Sequence, residues 1–282
     1  MSGVTVGEWE SDEWEQRGAS FGSVASAYNE LRPGYPDEAV RWALAPAGPG
    51  VPGLRVVDLG AGTGILTDTL IRLGADVTAV EPDAAMRAEL RRRLPAARMA
   101  AGSAEHIPLP DASADAVLCG QSLHWFDLDV ALPEIARVLR GGGVLAGLWN
   151  NDDDRLAWVA GLQEAAEGCT SPVLSARRAQ AAALEAERFE PRSFAAAERA
   201  EFPNAQRRTA QSLVATIATH SKLLVMPVAE RDRVLTQVSD YLAGRPETSA
   251  GEFTLPLVTL VLRTVREAAG APDSGAAGPG AL

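Results

Sequence analysis

Between Leu54 and Leu148 the chain alternates short apolar runs with stretches whose apolar residues return every three or four positions. The runs Arg55–Leu59, Asp76–Val80, Ala97–Ala101, Asp115–Cys119 and Gly143–Leu148 are short, mostly apolar and bounded by turn residues, which predicts strands. The gaps between them hold one crossover helix each, the arrangement of parallel βαβ units. One such helix can be read in full. Asp83 is placed to cap it, Met86, Leu90 and Leu94 fall on one face, and Pro95 stops it. Another carries the stripe Leu132, Ile135, Val138 and Leu139 and ends on the turn Arg140-Gly141-Gly142-Gly143.

After Asn150 the pattern changes. Residues 152–190 are Ala-rich and helical in period, Glu198–Phe202 reads as a strand, Gln211–Ser221 and Val228–Leu242 as helices, and Leu255–Leu262 as a late strand. The expected fold is therefore α/β, a Rossmann-like, doubly wound, seven-stranded and mostly parallel sheet. A helical cap is inserted after the fifth strand, where α/β proteins build substrate pockets. The expected organisation is a sheet domain over 19–150, cap regions over 151–197 and 203–250, and late strands over 198–202 and 254–263. Residues 1–18 are acidic without apolar period, and 268–282 are nearly all Ala, Gly and Pro, so both are expected to be disordered.

Composition narrows the function classes. With 46% apolar and 22% charged residues the chain is ordinary globular material. A net charge of -11 opposes polyanions, so no nucleic-acid partner is expected. No apolar stretch reaches the roughly 20 residues of a membrane helix, and the N-terminus lacks the pattern of a signal peptide; no membrane association and a cytoplasmic location are expected. Two cysteines and three scattered histidines suit neither a disulfide framework nor a metal site. Oligomeric state is left open.

The strongest chemical signal is Val56-Val57-Asp58-Leu59-Gly60-Ala61-Gly62-Thr63-Gly64, an apolar strand running into a glycine-rich turn that opens a helix. Glycine there allows left-handed backbone and close approach to a ligand at the carboxyl edge of the sheet. Glu81 ends the second strand about 20 residues later, where an acid can bind both hydroxyls of a ribose. A dinucleotide fold would share that acid, but its third glycine would fall at Ile65, which argues against a nicotinamide cofactor.

These residues, with Ala79-Val80-Glu81-Pro82-Asp83, Gly102-Ser103-Ala104-Glu105-His106-Ile107-Pro108 and Gln121-Ser122-Leu123-His124-Trp125-Phe126, resemble the class I S-adenosylmethionine-dependent methyltransferases. Within them the resemblance is to the methyltransferase type 11 group and its trans-aconitate-methyltransferase-like branch. It is strong over Phe21–Asn150, including the lid-like N-terminal segment Phe21 to Pro36. The resemblance implies S-adenosyl-L-methionine as cofactor and S-adenosyl-L-homocysteine as product. Gly60, Ala61 and Gly62 would pass beneath the methionine part, with Asp58 near its amino group and Glu81 on the ribose. Pro82 and Met86 would line the adenine face, and Ala104 would read a ring nitrogen. Ser103 stands where many relatives carry Asp, which makes Glu105 the substitute acceptor for the adenine amine. Gln121 would border cofactor and acceptor, and Tyr28 and Arg32 would fold over the cofactor.

For the acceptor, a small molecule, the candidates are Tyr35, His124, Trp125, Trp149, Asn150, Trp158 and Ser221. His124 is the one candidate general base, since an imidazole with a pKa of about 6.5 is available as neutral base at pH 7. Arg32 matches a carboxylate, the cofactor's own or an acceptor's. The expected function is methyl transfer to an oxygen or carboxylate of a small molecule. The competing readings are a catalytically silent nucleoside-cofactor-binding protein and a nicotinamide oxidoreductase.

Overall fold

The computed structural model describes residues 32–166, 194–218, 223 and 225–267. Helix α1 (Asp37–Leu44) precedes β1 (Arg55–Leu59), α2 (Ile65–Arg72), β2 (Asp76–Glu81), α3 (Ala84–Arg93), β3 (Arg98–Ala101), β4 (Ala114–Gly120), a 3-10 turn (Leu123–Trp125), α4 (Leu128–Val138) and β5 (Leu139–Asp152). The second half supplies α5 (Ala157–Ala165), β6 (Glu198–Thr209), α6 (Ala210–Ala218), α7 (Val228–Ala243) and β7 (Glu252–Val265). The strands form a seven-stranded sheet in the order β3-β2-β1-β4-β5-β7-β6, in which only β7 runs against its neighbours. Strand order reverses between β1 and β4, so the carboxyl ends of these strands open a crevice there.

Alternation along the strands divides the core between two faces. Val56, Ala116, Leu118, Ala146 and Leu148 pack with α1 and α2, while Val57, Leu59, Val117, Cys119 and Leu145 pack with α4. Helix α3 is capped as the sequence indicates, with Asp83 Oδ1 accepting from the Met86 N–H at 2.8 Å. Among the described residues no helix is long and apolar enough to cross a membrane.

Three expected boundaries change. Residues 203–209 continue β6 and do not open the cap, and β7 runs past both ends of the expected strand. Pro203 looks like a strand breaker, but β6 is the sheet edge, where a missing N–H costs no ladder bond. Pro256 is tolerated because the β5–β7 pairing ends at Asp152 and Leu257, one residue short of it. The glycines Gly141 to Gly143 lie inside β5, with Gly142 in the left-handed region at φ 74° and its N–H on the Arg266 carbonyl. Helices α5, α6 and α7 stand on the overhang of β7, their Leu162, Leu213, Ile217 and Val238 meeting Phe253, Leu255 and Leu257. Residues 1–31, 167–193, 219–222, 224 and 268–282, which include the expected disordered ends and much of the Ala-rich stretch, lie outside the described residues.

Candidate functional site

The turn after β1 is pulled across the end of β2 by two hydrogen bonds. The Gly60 and Ala61 N–H groups both donate to the Val80 carbonyl, at 2.8 and 3.1 Å. Gly60, Gly62 and Gly64 all sit in the left-handed region, at φ 69°, 57° and 87°. Their surroundings differ. A Cβ on Gly60 would stand 2.6 Å from Ser122 Cβ, whose hydroxyl donates to the Leu59 carbonyl and ties the β4 turn to the β1 turn. A Cβ on Gly64 would meet Leu90 of α3 at 2.9 Å, so this glycine lets α2 begin against α3. A Cβ on Gly62 would meet nothing within 4 Å, because Gly62 lines open space.

The difference is measurable without any ligand. Gly60→Ala combines backbone strain with a clash and is expected to cost about 3 kcal/mol, a fall in Tm of roughly 5–10 °C. Gly62→Ala carries the strain alone, about 1 kcal/mol, and loses ligand affinity instead. Equal Tm shifts for the two variants would contradict this reading of the turn.

Glu81 points into the same turn. Its Oε2 accepts from the Gly62 N–H at 2.8 Å and its Oε1 from the Asp83 N–H at 2.9 Å, leaving each oxygen a further lone pair. Arg87 fixes the backbone here by donating to the Glu81 and Pro82 carbonyls, and Arg93 donates to the Thr63 carbonyl at 2.6 Å. Burial raises the Glu81 pKa, and the two N–H groups oppose that shift. Asp58, wholly buried at the end of β1, accepts from Thr67 Oγ1 at 2.6 Å through Oδ2. Its Oδ1 is buried without a hydrogen-bond partner. Burial, with the nearby Glu81 charge, pushes the Asp58 carboxyl up to about 7.

These groups line a cavity of about 580 Å³ at the carboxyl edge of the sheet. Of the residues expected from sequence, Arg32, Tyr35, Asp58, Gly60, Ala61, Gly62, Glu81, Pro82, Met86, Ser103, Ala104, Glu105, Gln121, Trp125 and Asn150 all line it. Tyr28 and Ser221 lie outside the described residues. Ser103, Ala104 and Glu105 line the cavity, and the segment that follows them is clamped from α4. Glu134 accepts from the Ile107 N–H at 2.9 Å, and Arg137 donates to the Ile107 and Leu109 carbonyls. Arg137 holds the Glu134 carboxyl down at about 2. One oxygen of Glu105 accepts from the Asp127 N–H at 3.1 Å.

Four expected acceptor contacts lie elsewhere or are already engaged. Trp149 is 2% exposed and packs over Gly147 in the sheet core, since its parity on β5 puts it with Leu145. Trp158 packs edge-on against Phe253 inside the cap, ring centroids 6.0 Å apart. The Asn150 amide is occupied by other protein groups, described below. His124 is not on the cavity wall; it lies beside Trp125, ring centroids 5.0 Å apart, with Nδ1 buried and unpartnered. Burial, then the Arg32 charge, lowers its pKa to about 4. Groups not read from sequence include Thr67, Ser122, Phe126 and the buried Arg208 on β6, whose pKa burial and the Arg32 charge lower. A Thr in the first turn of a helix or an Arg on an edge strand carries no local signal of such a role.

Taken as a donor set, the cavity offers acceptors for a pair of vicinal hydroxyls at Glu81 and a buried, unmatched carboxylate oxygen at Asp58 for an ammonium group. Bare backbone at Gly62 and a thioether and proline wall at Met86 and Pro82 complete it. That set fits a nucleoside joined to an amino acid.

Residues 57–147 match the family described as Methyltransferase domain. An uncharacterized methyltransferase of Mycobacterium tuberculosis is 40% identical over 86% of this chain and 94% of its own length. A malonyl-[acyl-carrier protein] O-methyltransferase of Pectobacterium atrosepticum is 35% identical over 45% of this chain and 50% of its own. A solved structure of a putative type II methyltransferase from Anaeromyxobacter dehalogenans superposes with a TM-score of 0.58 at 26% identity, covering 83% of this chain and 96% of that one. Cavity and relatives agree, and the chain belongs to the class I S-adenosylmethionine-dependent methyltransferases.

Proposed function

We propose that the chain methylates a carboxylate oxygen of a small-molecule acceptor, with S-adenosylmethionine held in the cavity between the glycine turn and Glu81. The observation that carries the reading is a charge arrangement. The acceptor side of the cavity has a guanidinium on its wall, Arg32, with the buried Arg208 close enough to shift in its field, while the imidazole of His124 is kept off the wall. A carboxylate is already a nucleophile and needs no base, whereas a neutral hydroxyl or amine acceptor would ask for one. The Pectobacterium relative is named for O-methylation of malonyl-acyl-carrier protein, which supports an oxygen nucleophile.

When bound, the cofactor supplies an activated methyl group on a sulfonium. The protein's share is then to position and to exclude water. Glu81 and Asp58 would hold the donor's ribose and its ammonium group, Arg32 would orient the acceptor carboxylate, and Pro33, Tyr35 and Trp125 line the chamber around them. A carboxylate acceptor would meet that sulfonium as its opposite charge, so no residue of the chain would have to take or give a proton.

The test is methyl transfer from labelled S-adenosylmethionine to a metabolite extract, followed by mild alkali. An ester product releases its label as methanol, while an alkali-stable label would assign the acceptor to a hydroxyl or amine and overturn the carboxylate reading. His124→Ala gives a second, independent check. With no base required, turnover at saturating acceptor and cofactor stays within about threefold of wild type and its profile stays flat from about pH 6 to 9. A loss of 10²-fold or more would restore His124 as general base.

A further inference from the structure

Asn150 is a buried amide on a sheet strand whose neighbours Leu148 and Val261 are apolar, and its hydrogen bonds leave no capacity over. Its Nδ2 donates to the Pro33 carbonyl at 3.2 Å and to the Gly34 carbonyl at 3.0 Å. Its Oδ1 accepts from Thr259 Oγ1 at 2.6 Å and from Asn204 Nδ2 at 3.0 Å. Asn204 Nδ2 also lies 3.0 Å from the Gly34 carbonyl, so β5, β6 and β7 converge on one point of the chain before α1. Thr259 is the hub of the arrangement: wholly buried on β7, it pairs in register with Asn150 on one side and Phe202 on the other.

The residues flanking that point, Arg32, Pro33 and Tyr35, form one wall of the cavity. On the opposite side of the same clasp the Asn150 carbonyl accepts from Gln121 Nε2 at 3.0 Å. Gln121 lines the cavity too, and its backbone is held at φ 58°, which a non-glycine residue adopts only when its surroundings impose it. Lifting the 32–35 segment would strand the two buried Nδ2 donors of Asn150, on an amide whose Oδ1 is already committed to the buried Thr259 hydroxyl and cannot turn to serve them.

We propose that Asn150, Asn204 and Thr259 are positioning residues that clasp the 32–35 segment across the cavity and thereby set how long the cofactor stays. The inference rests on the reading that this cavity holds the adenosyl cofactor. The three residues touch no reacting atom. They act through the segment that carries Arg32 and Tyr35, so releasing it opens the ligand's exit and loosens the acceptor's anchor together.

The experiment follows dissociation of radiolabelled S-adenosylhomocysteine from the full chain by rapid filtration, with KM for S-adenosylmethionine and Tm measured alongside. The variants are Asn204→Ala, on the half-exposed edge strand, Thr259→Val, isosteric but without the hydroxyl, and Thr259→Ser, which keeps it. Asn204→Ala and Thr259→Val are expected to release the ligand about tenfold faster and to raise KM about tenfold, with kcat changed less, and Thr259→Ser to behave as wild type. The clasp is overturned if both disruptive variants stay within threefold of wild type, or if Thr259→Ser releases as fast as Thr259→Val, which would mark a packing effect. Should the wild-type chain itself retain no labelled ligand, the cofactor reading of the cavity falls and the clasp's role with it.

Discussion

Glu81→Ala is expected to weaken binding of S-adenosylhomocysteine by 10²- to 10³-fold, about 3–4 kcal/mol. Two vicinal hydroxyls donating to one ionised, largely buried carboxylate make charge-assisted bonds worth ~1.5–3 kcal/mol each, less the part that water returns to the truncated site. The alanine also strips the Gly62 and Asp83 N–H groups of their acceptor, so the turn beneath the amino-acid end of the ligand loses its anchor at the same moment. Glu81→Gln separates the two contributions. Its amide keeps one acceptor oxygen but must turn an NH2 toward either Gly62 or Asp83, donor against donor, and about tenfold of the affinity is expected to survive relative to Ala. Calorimetric titration of the three proteins decides it. Glu81→Ala binding within fivefold of wild type would mean that the acid only braces the turn and that the ribose is held elsewhere.

This site was readable from sequence because it is local. Asp58, the three glycines and Glu81 occupy consecutive strand ends of one βαβ unit, and right-handed crossover geometry brings such ends to one edge of the sheet with little freedom. The same locality made the Asp83 cap and the buried positions of Met86 and Leu90 predictable. Where two faces of one strand compete, the residue type alone misled. Trp149 was expected near the acceptor, yet strand parity sends it to the core, and the short 3-10 turn after β4 decides where His124 points in a way that its distance from the strand end does not encode. The expected β6 stopped before Pro203, whose local breaker character yields to its place on the sheet edge. The clasp was invisible for the opposite reason. Gly34, Asn150, Asn204 and Thr259 are scattered over more than two hundred positions and meet only once the sheet has formed.

Asp58 carries the prediction whose sign is least intuitive, since the group that favours the ligand burdens the empty protein. In the folded chain its carboxyl is pushed up to about 7 by burial, against an ordinary value near 3.8, so between those pH values the folded state keeps a proton that the unfolded state has released. Its contribution to stability is therefore fully present below about pH 4 and is lost as pH rises to about 7, by an amount on the order of 4 kcal/mol. A ligand ammonium beside the unpartnered Oδ1 reverses the preference, because it favours the ionised form. Affinity for S-adenosylhomocysteine is then expected to fall as pH drops from 8 to 6, approaching tenfold per unit below about pH 7. Asp58→Asn removes the titration and should separate the two effects. At pH 8 the empty variant melts higher than wild type, yet binds the ligand about 30-fold or more weakly, a loss of at least ~2 kcal/mol, and its affinity no longer follows Asp58 ionisation. Thermal melts of the empty proteins and calorimetry at pH 6, 7 and 8 give both quantities. Equal affinities for wild type and variant at pH 8, or a wild-type affinity that does not change over this range, would show that Asp58 does not meet the ammonium and that its buried oxygen serves the fold alone.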